Sequence, residues 1–232
     1  MKKIHLFSYT LPTLFVVFLL APAFLQAQAE KRNVENFNQI SYSISGKLIL
    51  VQSEKYELTL EGQKSDLEKI ITRVEGNTLV IKTNDYANLK DEVIVRVSLP
   101  QLTELNLAGS GHVMAGSAFK AEVLELMVTG SGNIDFSDLQ CKSLSAEVTG
   151  SGNIQAKGKA ANASLEITGS GNINLEPFEV SEAEVSITGS GSARVYAIDK
   201  LETNITGSGN VRYKGQPLID ANTVGSGTTR SL

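Results

Sequence analysis

Glu125, Glu147, Glu166 and Glu184 each precede a Gly-Ser-Gly triplet at an odd offset, so in an extended chain they share one face. Paired carboxylates are what glycoside hydrolysis uses, one as acid and the other as base or nucleophile. If successive repeats stack as strands, Glu147 and Glu166 lie about 5 Å apart, close enough to perturb each other's ionisation. A lyase or hydrolase also needs a basic partner on that face. A solvated acidic row that keeps the array soluble is the simpler reading, and no catalytic residue is assigned.

Other reactive side chains lack partners. The histidines are His112 and His5, and His5 lies in an apolar leader. Cys141, the single cysteine, has no histidine nearby in sequence, so a small, half-buried packing residue is expected there. Calcium-binding β-rolls carry recurring aspartates, whereas Asp135 and Asp138 fall in one repeat only, so no metal site is assigned. The glycine triplets lack the Lys-Ser/Thr of a phosphate loop, and no cofactor is assigned.

The elements that would position these groups are set by repetition. Gly-Ser-Gly occurs seven times, with its paired glycines at Gly109 and Gly111, Gly130 and Gly132, Gly150 and Gly152, Gly169 and Gly171, Gly189 and Gly191, Gly207 and Gly209, and Gly225 and Gly227. A near-constant period of about 20 residues is the mark of a stacked solenoid. Two residues before each first glycine stand Leu107, Val128, Val148, Ile167, Ile187, Ile205 and Thr223, with Leu105, Leu126, Ala146, Leu165, Val185, Thr203 and Ala221 two further back. After the turn come Val113, Ile134, Ile154, Ile173, Ala193, Val211 and Thr229, and two residues later Ala115, Phe136, Ala156, Leu175, Val195, Tyr213 and Ser231. Both runs have period two, so a strand enters and leaves each turn with one face buried. Seven coils would span roughly 34 Å.

Glycine suits the corner because it reaches positive φ without penalty and leaves room for the next bend. Thr129, Thr149, Thr168, Thr188 and Thr206 precede the turns, and Asn133, Asn153, Asn172 and Asn210 follow them, with His112, Ser192 and Thr228 as the exceptions. Both sets are expected to form hydrogen-bonded ladders along the stack.

Residues 1–29 read as a signal peptide: Met1-Lys2-Lys3, an apolar run from Leu11 to Leu25, and Ala27-Gln28-Ala29 as the cleavage pattern. The chain after it carries no spanning segment and has 19 basic against 25 acidic residues, about −6, which opposes nucleic acid and anionic lipid. Residues 30–100 are strand-rich but lack the triplet, and are expected to form irregular first coils or a β cap. A short helical turn is expected at Asp66 to Ile71. Residues 101–232 form the regular array, and 30–232 one continuous domain. Ser137 to Ser143 and Asn174 to Glu182 read as variable loops carrying specificity.

The leader, Phe37-Asn38-Gln39-Ile40, Leu99-Pro100-Gln101-Leu102 and the repeated Gly-Ser-Gly-Asn-Ile at Gly130, Gly150 and Gly169 together resemble the auto-transporter adhesin head GIN family of exported Bacteroidetes proteins. The resemblance covers nearly all of residues 33 to 230. It implies an all-β, right-handed parallel β-helix, export to the periplasm, outer-membrane surface or beyond, and a loosely defined role in adhesion. Ser192 and Ala193 in place of Asn-Ile, and His112 in place of Asn, depart from the pattern. The expected partners are a glycan, protein or matrix ligand, with homo-oligomers also open. A carbohydrate-active enzyme and a purely structural envelope protein are the alternatives.

Overall fold

The computed structural model describes residues 28–84 and 88–232. The signal-peptide assignment lies outside the described residues, apart from Gln28 and Ala29 at the start of the first strand. The structure is 73% strand and 2% helix, wound into about six turns of about 20 residues. It is the parallel β-helix expected from the period.

The N-terminal part contains β1 (Gln28–Arg32), β2 (Gln39–Ser43), β3 (Lys47–Gln52), β4 (Glu57–Gly62), a four-residue helix α1 (Lys64–Leu67), β5 (Ile70–Glu75), β6 (Thr78–Thr83) and β7 (Ile94–Leu99). The array continues as β8 (Glu104–Gly109), β9 (His112–Lys120), β10 (Val123–Gly130), β11 (Asn133–Gln140), β12 (Ser143–Gly150), β13 (Asn153–Gly169), β14 (Asn172–Gly189), β15 (Ser192–Gly207), β16 (Asn210–Lys214), β17 (Leu218–Gly225) and β18 (Thr228–Ser231).

Two parallel walls meet at the turns. The wall entering them runs β6, β2, β8, β10, β12, then through β13, β14 and β15 to β17. The wall leaving them runs β7, β3, β9, β11, then through β13, β14 and β15 to β16 and β18. Each of β13, β14 and β15 spans both walls, passing from one Gly-Ser-Gly turn to the next without a break. The bend is made by bulges, where the register shifts between Gln155 and Gly158 and between Leu175 and Glu179.

This corrects the two expected loops. Asn174 to Glu182 lies wholly within β14, and of Ser137 to Ser143 only Cys141 and Lys142 fall between strands. Their polar residues look loop-like in sequence because they face outward or sit in a bulge. Pro177, which has no N–H to give to a ladder, occupies the bulge in β14.

The expected interior column is present through six copies of the repeat. Leu107, Val128, Val148, Ile167, Ile187 and Ile205 are buried before the turns, as are Val113, Ile134, Ile154, Ile173, Ala193 and Val211 after them. Larger groups fill the far side, where Phe119 and Phe136 meet edge to face with ring centroids 5.6 Å apart. The seventh copy differs: β17 is exposed along its whole length, Leu218 and Val224 included, because no described strand lies beyond it.

Residues before the array supply both a coil and a cap. β2 and β3, joined by Ile44-Ser45-Gly46, form a coil that sits between β6/β7 and β8/β9, although it precedes both in sequence. The exposed parallel edges of β6 and β7 are then covered by antiparallel partners: β5 on β6, β4 on β7, and β1 on β4. An edge closed in this way is not a template for further parallel pairing. Gln52 ties the coil to the array, its side-chain amide accepting from Lys120 N at 2.7 Å and donating to the Lys120 and Pro100 carbonyls at 2.9 Å each.

The helical turn starts earlier than expected, at Lys64, and Ile70 already belongs to β5. Asp66 is fully buried there. Its carboxylate accepts from Lys69 Nζ at 2.6 Å, from Asp91 N at 3.0 Å and from Lys90 N at 3.2 Å. The Lys69 bond, reinforced by the two backbone donors, outweighs burial and holds the Asp66 carboxyl below its ordinary value. A depressed carboxyl stabilises the fold above its unfolded pKa of about 4, and that contribution vanishes as pH falls through the folded value. Asp66→Asn is therefore expected to lower the melting temperature at pH 7, with the gap from the native chain narrowing below about pH 4 in thermal melts. An equal gap at pH 7 and pH 2.5 would contradict the assignment.

Candidate functional site

The Gly-Ser-Gly corner is built from two glycines with different duties. Every first glycine has positive φ, from 96° at Gly109 to 125° at Gly225. From Gly109 to Gly207 its carbonyl accepts the N–H of the serine one coil on, as in Ser151 N to Gly130 O at 2.8 Å. A Cβ on Gly150 would also lie 2.6 Å from Gly130 O. Every second glycine instead faces the core. A Cβ on Gly132 would lie 2.7 Å from Leu107 Cδ2, and in the later coils Val128, Val148, Ile167, Ile187 and Ile205 occupy the equivalent place. The branched residue entering one turn thus fills the hollow left by the glycine leaving the next.

The two side-chain ladders behave differently. Asn153 Nδ2 donates to Asn133 Oδ1 at 2.7 Å, and Asn172 Nδ2 to Asn153 Oδ1 at 2.9 Å. Ser192 interrupts the file, which resumes where Thr228 Oγ1 donates to Asn210 Oδ1 at 2.8 Å. Thr129, Thr149, Thr168, Thr188 and Thr206 are in register, yet no hydroxyl of this row bonds the next among the described residues. Thr149 Oγ1 turns instead to Glu147 Oε1 of its own strand, at 3.2 Å. Identical hydroxyls in register are a full ladder step of about 4.8 Å apart, too far to bond. An amide carries its donor and acceptor on different atoms and closes that gap.

Glu147 and Glu166 are brought together in register on the entering wall. They stand on an outward row between Met127 and Ser186, with Glu147 half-buried and Glu166 exposed. Beside them a shallow depression is lined by Ser164, Glu184, Lys200 and Glu202, where Lys200 Nζ pairs with Glu202 Oε2 at 3.2 Å. Cys141 is half-buried, and burial pushes its thiol up to about 11, so the thiolate needed for nucleophilic attack is not formed near neutrality. Among the described residues, no group of three or more acidic, His or Cys side chains could hold a metal ion.

The leaving wall carries a second outward file, three residues past each turn, that the repeat-by-repeat reading passed over. It runs Met114, Asp135, Gln155, Asn174, Arg194, Arg212 and Arg230, all in register. Its first half borders the Asn ladder, and between the two files lies a shallow depression lined by His112, Asn133, Asp135, Asn153, Gln155 and Asn174. Gln155 Nε2 donates to Asp135 Oδ2 at 2.6 Å inside this strip. Aligning the seven triplets and reading the third residue after each would have found it.

The corner predicts a graded response. Gly152→Ala overpacks the Val128 contact and is expected to cost about 1–3 kcal/mol. Gly150→Ala adds the left-handed backbone penalty of about 1–2 kcal/mol to a carbonyl clash. Ser151→Ala, on the exposed tip, should stay within about 0.5 kcal/mol. Chemical denaturation of the three variants checks the order, and an alanine tolerated at Gly152 would overturn this account. Asn153→Ala severs two ladder bonds and is expected to cost more than Asn133→Ala, which severs one, by about 1 kcal/mol.

Comparison with known proteins supplies the family. The domain family described as "putative auto-transporter adhesin, head GIN domain" matches residues 36–217. No curated protein matches the chain. Among solved structures, a "putative adhesin" from Bacteroides fragilis superposes with a TM-score of 0.84 at 25% identity, covering 89% of this chain and 97% of that one. A "putative lipid binding protein" from Parabacteroides distasonis superposes with a TM-score of 0.75 at 26% identity over the same shares. A "putative adhesin" from Parabacteroides merdae, at 23% identity and a TM-score of 0.71, shares the fold over 89% of this chain and 96% of its own. With its turns, its stacked walls and most of its length matched, the chain belongs to the auto-transporter adhesin head GIN domain family.

Proposed function

We propose that this chain is a non-catalytic binding module, exported by residues 1–29 and displayed in the periplasm, on the outer-membrane surface or beyond, that holds an extended ligand along the wall leaving the turns. The observation that carries the reading is the two-file strip there. The Asn ladder and the Asp135, Gln155, Asn174 file place amide donors and acceptors at a constant spacing on a rigid wall. Sugar hydroxyls and peptide groups of a partner are matched by such a strip, and the strands that carry it lose little entropy on binding. Glycan, protein and matrix ligands all present groups of this kind.

The family's description as an adhesin and the names of the neighbours from Bacteroides fragilis and Parabacteroides distasonis accord with binding. The rival reading, a carbohydrate-active enzyme using Glu147 and Glu166, asks two carboxylates on an outward wall to work without the water exclusion that sharpens acid–base chemistry.

A glycan array, a panel of matrix proteins and lipid vesicles, the last chosen because one neighbour is described as lipid binding, test the proposal on the intact protein. Saturable binding is expected to weaken about tenfold in Gln155→Ala with Asn174→Ala, consistent with loss of one or two hydrogen bonds, and to survive Thr129→Ala. Release of glycan product that disappears in Glu147→Gln or Glu166→Gln would replace this reading with the enzymatic one. An empty panel on every arm would favour a structural spacer.

A further inference from the structure

Toward the C-terminal end, the leaving wall changes character. Arg194 on β15, Arg212 on β16 and Arg230 on β18 are paired in register, one directly over the next, and all three are exposed. Two ladder steps separate the first from the last, about 10 Å. Arg194 has one partner, Glu176 Oε2 at 3.6 Å from its Nη1. Among the described residues neither Arg212 nor Arg230 meets a carboxylate within salt-bridge distance.

The surroundings are as one-sided as the row. The stretches Ser192–Tyr196, Asn210–Lys214 and Thr228–Ser231 contain no acidic residue, in a chain whose formal charge is −4. The carboxylates bordering the row belong to β14, where Glu179 pairs in register with Tyr196 and Glu176 sits in the bulge that reaches Arg194. Lys214 adds a fourth cation, with its Nζ 4.2 Å from the Tyr196 ring centroid. A shallow depression runs along the row, lined by Ser192, Arg194, Asn210, Arg212, Thr228 and Arg230, so hydroxyl and amide groups flank the guanidinium groups.

Like charges stacked directly across a ladder are destabilising, and solubility does not call for them to be aligned. Alternating Arg with the Asp, Gln and Asn found at the same offset in earlier coils would have avoided the repulsion. Alignment has a use when the ligand carries aligned anions: each guanidinium presents a planar fork to a carboxylate, sulfate or phosphate, and the ladder fixes the spacing between forks.

We infer that Arg194, Arg212 and Arg230 form a binding row for an acidic polysaccharide, with the carboxylate or sulfate groups of successive sugars seated on successive coils. The inference rests on the binding-module reading and names the ligand class for one end of that wall. A sugar unit is comparable in length to one ladder step, so a short stretch of chain lies along the row without bending. Nucleic acid fits less well: Tyr196, beside the row, is half-buried beneath Lys214, leaving no open aromatic platform for bases. A membrane would need apolar side chains beside the cations, and the flanking positions Ser192, Asn210 and Thr228 are polar.

Binding of the intact protein to polygalacturonate and to heparin, with dextran as the neutral control and phosphatidylglycerol vesicles as the membrane arm, tests the row. Both polyanions are expected to bind, more weakly as salt rises, and dextran not to depend on the arginines. Arg212→Gln should weaken polyanion binding about tenfold and the triple variant Arg194→Gln/Arg212→Gln/Arg230→Gln about a hundredfold or more. Lys157→Gln, an exposed charge on another coil, should stay within about twofold. The triple variant should melt no lower than the native chain, since repulsion is relieved.

Failure to bind either polyanion, or equal binding by the triple variant, overturns the inference. So does arginine-dependent binding to vesicles alone. The broader reading is judged separately: ligand binding that is lost in Gln155→Ala with Asn174→Ala but kept in the arginine triple leaves the wall a binding surface and removes only the acidic-glycan row.

Discussion

The carbonyl of each first glycine accepts the serine N–H of the coil above it, and this bond recurs at every corner from Gly109 to Gly207. Each link fixes the vertical register of two coils at the point where the chain changes direction. From there the strands on both walls have no freedom to slip, because a shift of one residue would turn every buried aliphatic outward. The second glycine enforces the same register from inside, where its bare Cα is matched to a branched side chain of the coil before. Hydrogen bonding and packing therefore select one alignment, which explains why seven copies of so short a motif organise the rest of the chain.

The two ends of the stack meet different conditions. At the N-terminal end, β4, β5 and β1 run antiparallel to their neighbours and close the open edges, and the buried Asp66 joins α1 to the segment before β7 through Lys90 and Asp91. At the other end β17 and β18 are each paired on one side only among the described strands, and Leu218, Ile219 and Val224 are exposed. Solenoid stability is approximately a sum of nearest-neighbour terms, so the last coil, with one neighbour, is held least.

The regular part of this arrangement was legible in the sequence because period and burial coincide. Leu126, Val128 and Ile134 are apolar at offsets that only a strand-turn-strand coil can bury together. The coil β2–β3 was less visible because its corner, Ile44-Ser45-Gly46, keeps only the second glycine; Ile44 replaces the first, beneath Gly109, where the stack of triplets begins. Its place between β6/β7 and β8/β9 is a long-range pairing that no local pattern encodes. The far bends were misread as loops for a related reason: a bulge spends polar residues and a proline much as a loop does, while its backbone stays in the ladder. Glu147 and Glu166 are recognisable as neighbours from a shared residue type at one offset, whereas the arginine file is hidden because Met114, Asp135, Gln155 and Asn174 hold the same offset in earlier coils and share no chemistry with it.

Register also decides what kind of chemistry the walls can support. In a parallel stack every outward residue is copied into a file that faces away from the core. Acid–base catalysis needs groups of unlike environment, one desolvated and one not, so that their pKa values separate. Glu147, half-buried, and Glu166, exposed, share an outward row, and their file passes to Met127 on one side and Ser186 on the other without the cation that a lyase or hydrolase face would call for. Binding asks for less: a rigid spacing, donors and acceptors in order, and a charge sign that changes along the axis. The wall from His112 through Asp135 and Gln155 to Arg230 has these properties because the corner bond holds each coil one step above the last. Among the described residues the same constraint sets a constant spacing along each outward file, and the proposed binding of a ligand with its own repeat rests on that spacing.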